Sequence, residues 1–443
     1  MEDNSALNQI ELTKGDRVLI LAPHPDDETI ATGGIVQRAL AIGLPVRVVW
    51  LTYGDNNETS FVAYRGRPTV KAKDVRGMGL VRHEEAMAAA GVLGLTPDQL
   101  TFLGYPDFRT LVIWSQHWGD VEACESMFTR TRVVPYANAF RPGTPYKADE
   151  ILADLETVLR DFRPTVVFVS HPGDHNPDHQ SLYLFTRVAL WNLADEMQPT
   201  LHPYLVHHPE WPQPEGYHPE IALLPPDRLA SATAWLRNSL SAEIAERKHR
   251  ALTQHASQYK FDKTYLDSFI RANELFGDLP PVPLRHGGDQ VAQMSEPADS
   301  AGGVPVADQL THAEQAKFVG IERRGLWQEN GNVVVSVSYS GKLGNKAGLS
   351  ISCFGYRADR AFRDMPKLRI NLGAVRSGVF DQQQRLAKSS VETVREPGRI
   401  TVQIPLELLG SPQYILGSAR SFLGKVPLDW IAWRVIEVPQ QAG

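Results

Sequence analysis

Two short segments bring histidine and carboxylate together at spacings that suit a metal ion. In Pro23-His24-Pro25-Asp26-Asp27-Glu28, His24 and Asp27 stand three positions apart on a turn, so an imidazole nitrogen and a carboxylate oxygen can reach one cation. Asp26 lies between them and must point elsewhere, which suits a base beside a metal rather than a ligand to it. The second segment is His171-Pro172-Gly173-Asp174-His175-Asn176-Pro177-Asp178-His179, in which Pro177 is placed for the first turn of a helix and His179 would emerge at its N-terminus. Two histidines and one aspartate make a three-ligand site with room for water, as catalytic zinc uses, and zinc lowers the pKa of bound water to about 7. Either segment alone also fits a solvated helix start, where acidic groups are favourable against the helix dipole. Two of them, each following a strand, favour a site. Glu28 is assigned to capping and supporting hydrogen bonds, and Gly33-Gly34 to close helix packing, because the G-x-G-x-x-G spacing is absent.

The elements that must position these residues alternate along the first half of the chain. Residues 18–22 and 46–51 are apolar and β-branched, and 29–42 between them is helix-like, which is a βαβ unit. A helix over 82–93, a strand over 100–103, a helix over 148–162, a strand over 165–170 and a helix over 180–190 continue the pattern. Strands apolar on both faces and separated by helices predict an α/β fold, a Rossmann-like, mostly parallel sheet covered on each side. In such a sheet ligands bind at the carboxyl ends of the strands, where both segments stand. Seven prolines between 203 and 226 forbid a continuous helix there, and a single helix is expected over 241–259.

The stretch 286–310, poor in aromatics and rich in Gly, Pro, Ser and Ala near its start, is expected to be a linker between a first domain over 1–285 and a second over 311–443. Beyond it the period changes from 3.6 to 2, beginning at Val333 after an Asn330-Gly331 turn signal, and the short strands that follow predict an all-β sandwich. The whole chain has 443 residues, 22% of them charged, with a net charge of −6. That balance offers no basic field for nucleic-acid phosphates or anionic lipid, so neither is an expected partner. Two cysteines, Cys124 and Cys353, are too few for a disulfide framework, so any metal must use His and carboxylate. With no long apolar run to span a membrane, a cytoplasmic protein is expected.

The chain resembles the PIG-L/LmbE-like de-N-acetylases over about residues 15–280. The resemblance rests on a strand followed by His-Pro-Asp-Asp-Glu, here 22–28, and on a later Pro-Asp-His opening a helix, here 177–179. Secondary matches are Thr52-Tyr53-Gly54-Asp55, the segment 82–85, Gly104-Tyr105-Pro106-Asp107, His255-Ala256-Ser257-Gln258 and Asn273-Glu274-Leu275-Phe276. It implies Zn2+, or another divalent ion such as Fe2+, on His24, Asp27 and His179, with Asp26 as general base. Family members also use a histidine three positions before the last ligand to assist the tetrahedral intermediate or the leaving amine. Position 176 is Asn here, so that role is placed on His175, with His171 next. The family's substrate-contacting residues fall on Arg82, whose planar fork can clamp sugar hydroxyls or phosphate, and on Asp107, which can accept from hydroxyls. His255 reads as a buried core histidine, and His207, His208 and His218 as rim residues of the proline-rich loop.

The sandwich more weakly resembles family 9-like carbohydrate-binding modules, through residues 399–409 and Asp429-Trp430-Ile431-Ala432-Trp433-Arg434; core packing of at least one Trp, and a docking role for the domain, stand as the alternatives. The function implied is metal-dependent hydrolysis of an N-acetyl group on a glucosamine-like sugar or glycoconjugate. An amidase acting on a thiol conjugate and a non-catalytic glycan-binding protein are the alternatives.

Overall fold

The computed structural model describes residues 7–56, 71–287, 292–293, 321–342, 347–373, 377–423 and 426–439. The chain forms two compact units, Met1–Pro226 with Ala234–Asp278, and Asp227–Thr233 with Leu279–Gly443. The linker expected over 286–310 lies, apart from 286–287 and 292–293, outside the described residues.

In the first unit the elements run β1 (Val18–Ala22), α1 (Asp27–Ala41), β2 (Val46–Thr52), α2 (Ala72–Leu93), β3 (Leu100–Tyr105), α3 (Thr110–Gln116), α4 (Ala148–Phe162), β4 (Val166–Ser170), α5 (Pro177–Asn192) and β5 (Thr200–Tyr204). The five strands form one sheet in the order β3-β2-β1-β4-β5, every pair parallel. β1 and β4 are buried along their whole length, which is why both read as unbroken apolar runs. Helix α4 has the bounds that its pattern predicts, because its apolar residues Ile151, Leu155, Val158 and Phe162 fall on one buried face. Helix α2 starts ten residues before the expected 82, its early turns buried through Val75 and Met78.

The helix expected over 241–259 is instead two, α6 (Ala242–Leu252) and α7 (Ala256–Asp267). Between them the Thr253 hydroxyl donates to Arg250 O at 2.8 Å, and His255 leaves helical geometry with ψ at 54°. The break lets the His255 ring reach Glu28 Oε1, 3.1 Å away, so a tertiary contact overrides the local helical pattern.

The second unit is a sandwich of a five-stranded and a seven-stranded sheet. Its hairpin from Ile321–Glu329 to Asn332–Tyr339 turns at Asn330 and Gly331, both with positive φ (47° and 77°), the pair that a tight two-residue hairpin demands. Val333, Val337, Leu349, Ile351, Leu368, Ile370, Ile400 and Val402 fill the space between the sheets. Trp430 and Trp433 are both buried, Trp433 tilted against Phe354 with centroids 5.5 Å apart, so neither ring is an exposed stacking platform. Among the described residues no helix is long and apolar enough to cross a membrane.

Candidate active site

The strand order reverses between β1 and β4, the point at which an open α/β sheet leaves a crevice at its carboxyl edge. His24 follows β1 directly and leads into α1; His171 follows β4, and His179 is the third residue of α5. The topology thereby brings two segments about 150 positions apart onto one edge.

Three donor atoms converge there. Asp27 Oδ2 lies 3.2 Å from His24 Nδ1 and 3.2 Å from His179 Nε2. Ligand atoms of His24, Asp27 and His179 all stand within 4.8 Å of one another, and all three residues are buried. The His24 backbone N–H donates to the same Asp27 oxygen at 2.9 Å, folding the carboxylate back across the turn.

Each imidazole is backed by carboxylate on its other nitrogen. His24 Nε2 lies 3.1 Å from Asp107 Oδ1 and 3.2 Å from Asp178 Oδ2, while His179 Nδ1 lies 3.1 Å from Asp174 Oδ2. Asp174 accepts backbone N–H groups from Val206, His207 and Asn176 at 2.8–3.0 Å. Asp178 accepts from the backbone of Phe108 at 2.5 Å and of Thr110 at 3.1 Å, and from the Thr110 hydroxyl. Metal-binding histidines are commonly oriented in this way by a carboxylate on the far nitrogen.

The charge balance also suits a cation. Asp27, Asp107, Asp174 and Asp178 are all buried, and against them stand the two imidazoles and the Arg82 guanidinium. Burial pushes the His24 imidazole down, but the Asp107 charge, together with the hydrogen bonds that the ring donates to Asp178 and Asp27, carries it well above the usual range. His179, lowered by burial, is lifted to about 9 by Asp174 and Asp27. The same buried carboxylates would attract a divalent ion, which would have to displace those protons from the imidazoles. The set of two nitrogens and one oxygen, all buried and within reach of one another, is one that zinc takes, so the residues fit a metal.

Asp26 adopts φ 127°, an unfavourable value for a residue with a side chain. Glu28 holds it there: Oε2 accepts the Asp26 N–H at 2.9 Å and the Trp50 indole N–H at 2.8 Å, while Oε1 faces His255. Burial raises the Asp26 carboxyl to about 6, against the pull of Arg82. Over these groups opens a cavity of about 140 Å³, lined at depth by His24, Asp26, Asp27, Arg82 and Asp107 and further out by Asn176, His207 and Tyr265.

Arg82 and Asp107, expected to contact substrate, do line the cavity but are turned onto the protein. Arg82 donates to Gly54 O at 2.9 Å, to Pro25 O at 2.5 Å and to Asp26 Oδ2 at 3.2 Å. A Cβ at Gly54 would overlap that guanidinium, so Gly54 is the space Arg82 occupies. Asp107 accepts the Asn56 N–H at 3.0 Å and faces His24, whose charge holds its carboxyl near 2 against the effect of burial.

His175 and His171, expected to supply the assisting imidazole, are not among the cavity-lining residues. His175 packs its ring edge-on against His208 at 5.5 Å, and His171 is buried against Trp235 at 5.6 Å with Nδ1 accepting the Gly173 N–H. Asn176 caps α5, its side chain accepting the Asp178 N–H at 2.9 Å. Besides His24, the imidazole that lines the cavity is that of His207, expected only at the rim. Its ring stands edge-on to His179 at 4.8 Å, its Nδ1 is 3.4 Å from the Tyr265 hydroxyl, and burial lowers it to about 4, so it is neutral near pH 7. The signal was available: His207 follows β5 by three residues, the same strand-end position that singles out His24 and His171. Asp174, Asp178 and Glu28 also gain specific partners that no local pattern names.

A family model described as GlcNAc-PI de-N-acetylase, PIG-L, matches residues 19–190. The 1D-myo-inositol 2-acetamido-2-deoxy-alpha-D-glucopyranoside deacetylase 1 of Saccharopolyspora erythraea is 31% identical over 189 residues, which are 42% of this chain and 57% of that protein. A deacetylase of the same description from Tsukamurella paurometabola is 27% identical over 263 residues, 55% of this chain and 82% of that protein. The chain thus spans little more than half of the first relative's length. The solved N,N'-diacetylchitobiose deacetylase of Pyrococcus horikoshii aligns over 59% of this chain and 82% of its own at 17% identity, with a TM-score of 0.37; the strand order, not that likeness, carries the fold. On the family match, the chain carries a PIG-L family domain at residues 19–190.

Proposed function

We propose that this protein hydrolyses the N-acetyl group of a glucosamine-like sugar or glycoconjugate, using a divalent metal, zinc first, on His24, Asp27 and His179. The observation that carries the reading is the convergence of those three donors on one another at the switch point of the sheet, with His24, Asp27 and the Asp26 carboxylate also lining the cavity. The family match and the deacetylase names of the relatives support the same class of reaction. A divalent ion bound there supplies Lewis acidity, which polarises an acyl carbonyl and makes a water molecule acidic near neutral pH.

The chain's own groups have separate tasks. Asp26 takes the proton from the attacking water and returns it to the departing amine; its carboxyl, raised to about 6, is suited to do both near neutral pH. Arg82 holds Asp26 Oδ2 in place, and Glu28 holds its backbone. Asp174 and Asp107 fix the two imidazoles. Neutral His207, in place of a histidine at 176, hydrogen-bonds the tetrahedral intermediate or the leaving amine. Elemental analysis combined with acetate release from N-acetylglucosamine derivatives tests the reading. Metal-loaded protein that releases no acetate from any of them, yet cleaves a cysteinyl conjugate, would replace it.

A further inference from the structure

The cavity changes character from its depth to its mouth. Its depth is ionic, but Ile30, Val206, Leu266 and two exposed phenylalanines, Phe108 and Phe261, line the same space. Phe108 is 45% exposed and Phe261 42%, unusual for rings this size beside so charged a site. Neither is a loosely placed surface ring. Phe108 sits in the left-handed region at φ 57°, and its N–H donates to Asp178 Oδ2 at 2.5 Å, the oxygen that also faces His24 Nε2. The same carboxylate therefore sets both the proposed metal ligand and the ring at the mouth, whose centroid is 6.4 Å from that of His24. Phe261 belongs to α7, which contributes Gln258, Phe261, Asp262 and Tyr265 to the cavity wall from either side of a kink at Asp262.

We propose that Phe108 and Phe261 form a subsite for an apolar aglycone, an aryl or alkyl group on the anomeric oxygen of the N-acetylated amino sugar. The proposal rests on the deacetylase reading and names its substrate class. About 140 Å³ is well below the roughly 300–1,000 Å³ of a site that encloses a larger ligand, so the acetamido end can enter while the rest of the substrate lies at the mouth. There it meets the two phenyl rings, set among the polar side chains of Gln258, Asp262 and Tyr265, and the rings reward apolar area on the substrate.

Acetate release is compared for the methyl, octyl and 4-nitrophenyl glycosides of N-acetylglucosamine with the full-length, zinc-loaded protein. The octyl and aryl compounds should exceed the methyl compound roughly tenfold in kcat/KM, the effect of covering part of a phenyl ring. Phe261→Ser should reduce that ratio at least fivefold, whereas Phe140→Ser, at an exposed phenylalanine outside the cavity lining, should leave it unchanged. Equal rates for all three glycosides, or a ratio that survives Phe261→Ser, overturns the subsite. Should none of the glycosides release acetate, the deacetylase reading fails, and calorimetric binding of the same compounds still decides the subsite: octyl binding no tighter than methyl overturns it too.

Discussion

The two units bury charge in opposite ways. In the sandwich, a buried cation such as Lys367 is satisfied by backbone, its Nζ donating to Phe362 O and Met365 O at 2.5 Å each while lying over the Phe362 ring. Such a group is neutralised by local dipoles and asks for nothing more. In the α/β unit, Asp27, Asp107, Asp174 and Asp178 crowd one strand edge, and like charges buried together are costly unless something positive joins them. The difference is one of arrangement: the buried cation of the sandwich is met by backbone dipoles, whereas the carboxylates of the α/β unit are clustered around two imidazoles, a donor set that a divalent ion could join.

The largest test of that contrast is removal of a donor. His24→Ala or His179→Ala should reduce bound metal from about one ion per chain to none and abolish acetate release, whereas Lys367→Met should alter neither. Full metal content in both histidine variants, by elemental analysis, would place the ion elsewhere. Asp26→Asn should next keep the metal and lose roughly 10²–10⁴-fold in rate, because the amide fills the same volume but takes no proton. Turnover near the wild-type rate by the loaded variant would move the base to another residue.

A smaller effect discriminates the imidazoles. His207→Ala should lower kcat by roughly 10²-fold with the metal retained, and His175→Ala by far less. The reverse ranking would return the assisting role to His175, outside the cavity lining. The smallest effect is on stability. Burial and the nearby Asp107 charge raise the Asp55 carboxyl from 3.8 to about 7. The folded state therefore keeps a proton that the unfolded chain releases, and Asp55 costs stability progressively as pH rises from about 4 through about 7. Asp55→Asn removes that cost, so its Tm should gain on the parent's between pH 5 and pH 8. A pH-independent difference would show that Asp55 is already ionised.

What could be read from the chain alone was whatever depends on neighbours in sequence. The periods of β1, β4 and α4, the Asn330-Gly331 turn and the change to a period of 2 are local patterns, and each element forms where its pattern lies. His24 and Asp27 are in reach of one another because a turn of three residues brings them there. Tertiary structure alone decided which groups complete the arrangement: that Asp107 and Asp178 meet His24, that Asp174 backs His179, that Arg82 turns inward to Asp26, and that His207 rather than His175 lines the cavity. It also decided the break between α6 and α7, where the pairing of His255 with Glu28 overrides a continuous helical pattern. These outcomes follow from contacts between residues tens to hundreds of positions apart. Their energies depend on burial and on the partners the sheet order brings together, and neither is encoded in the spacing of residues along the chain.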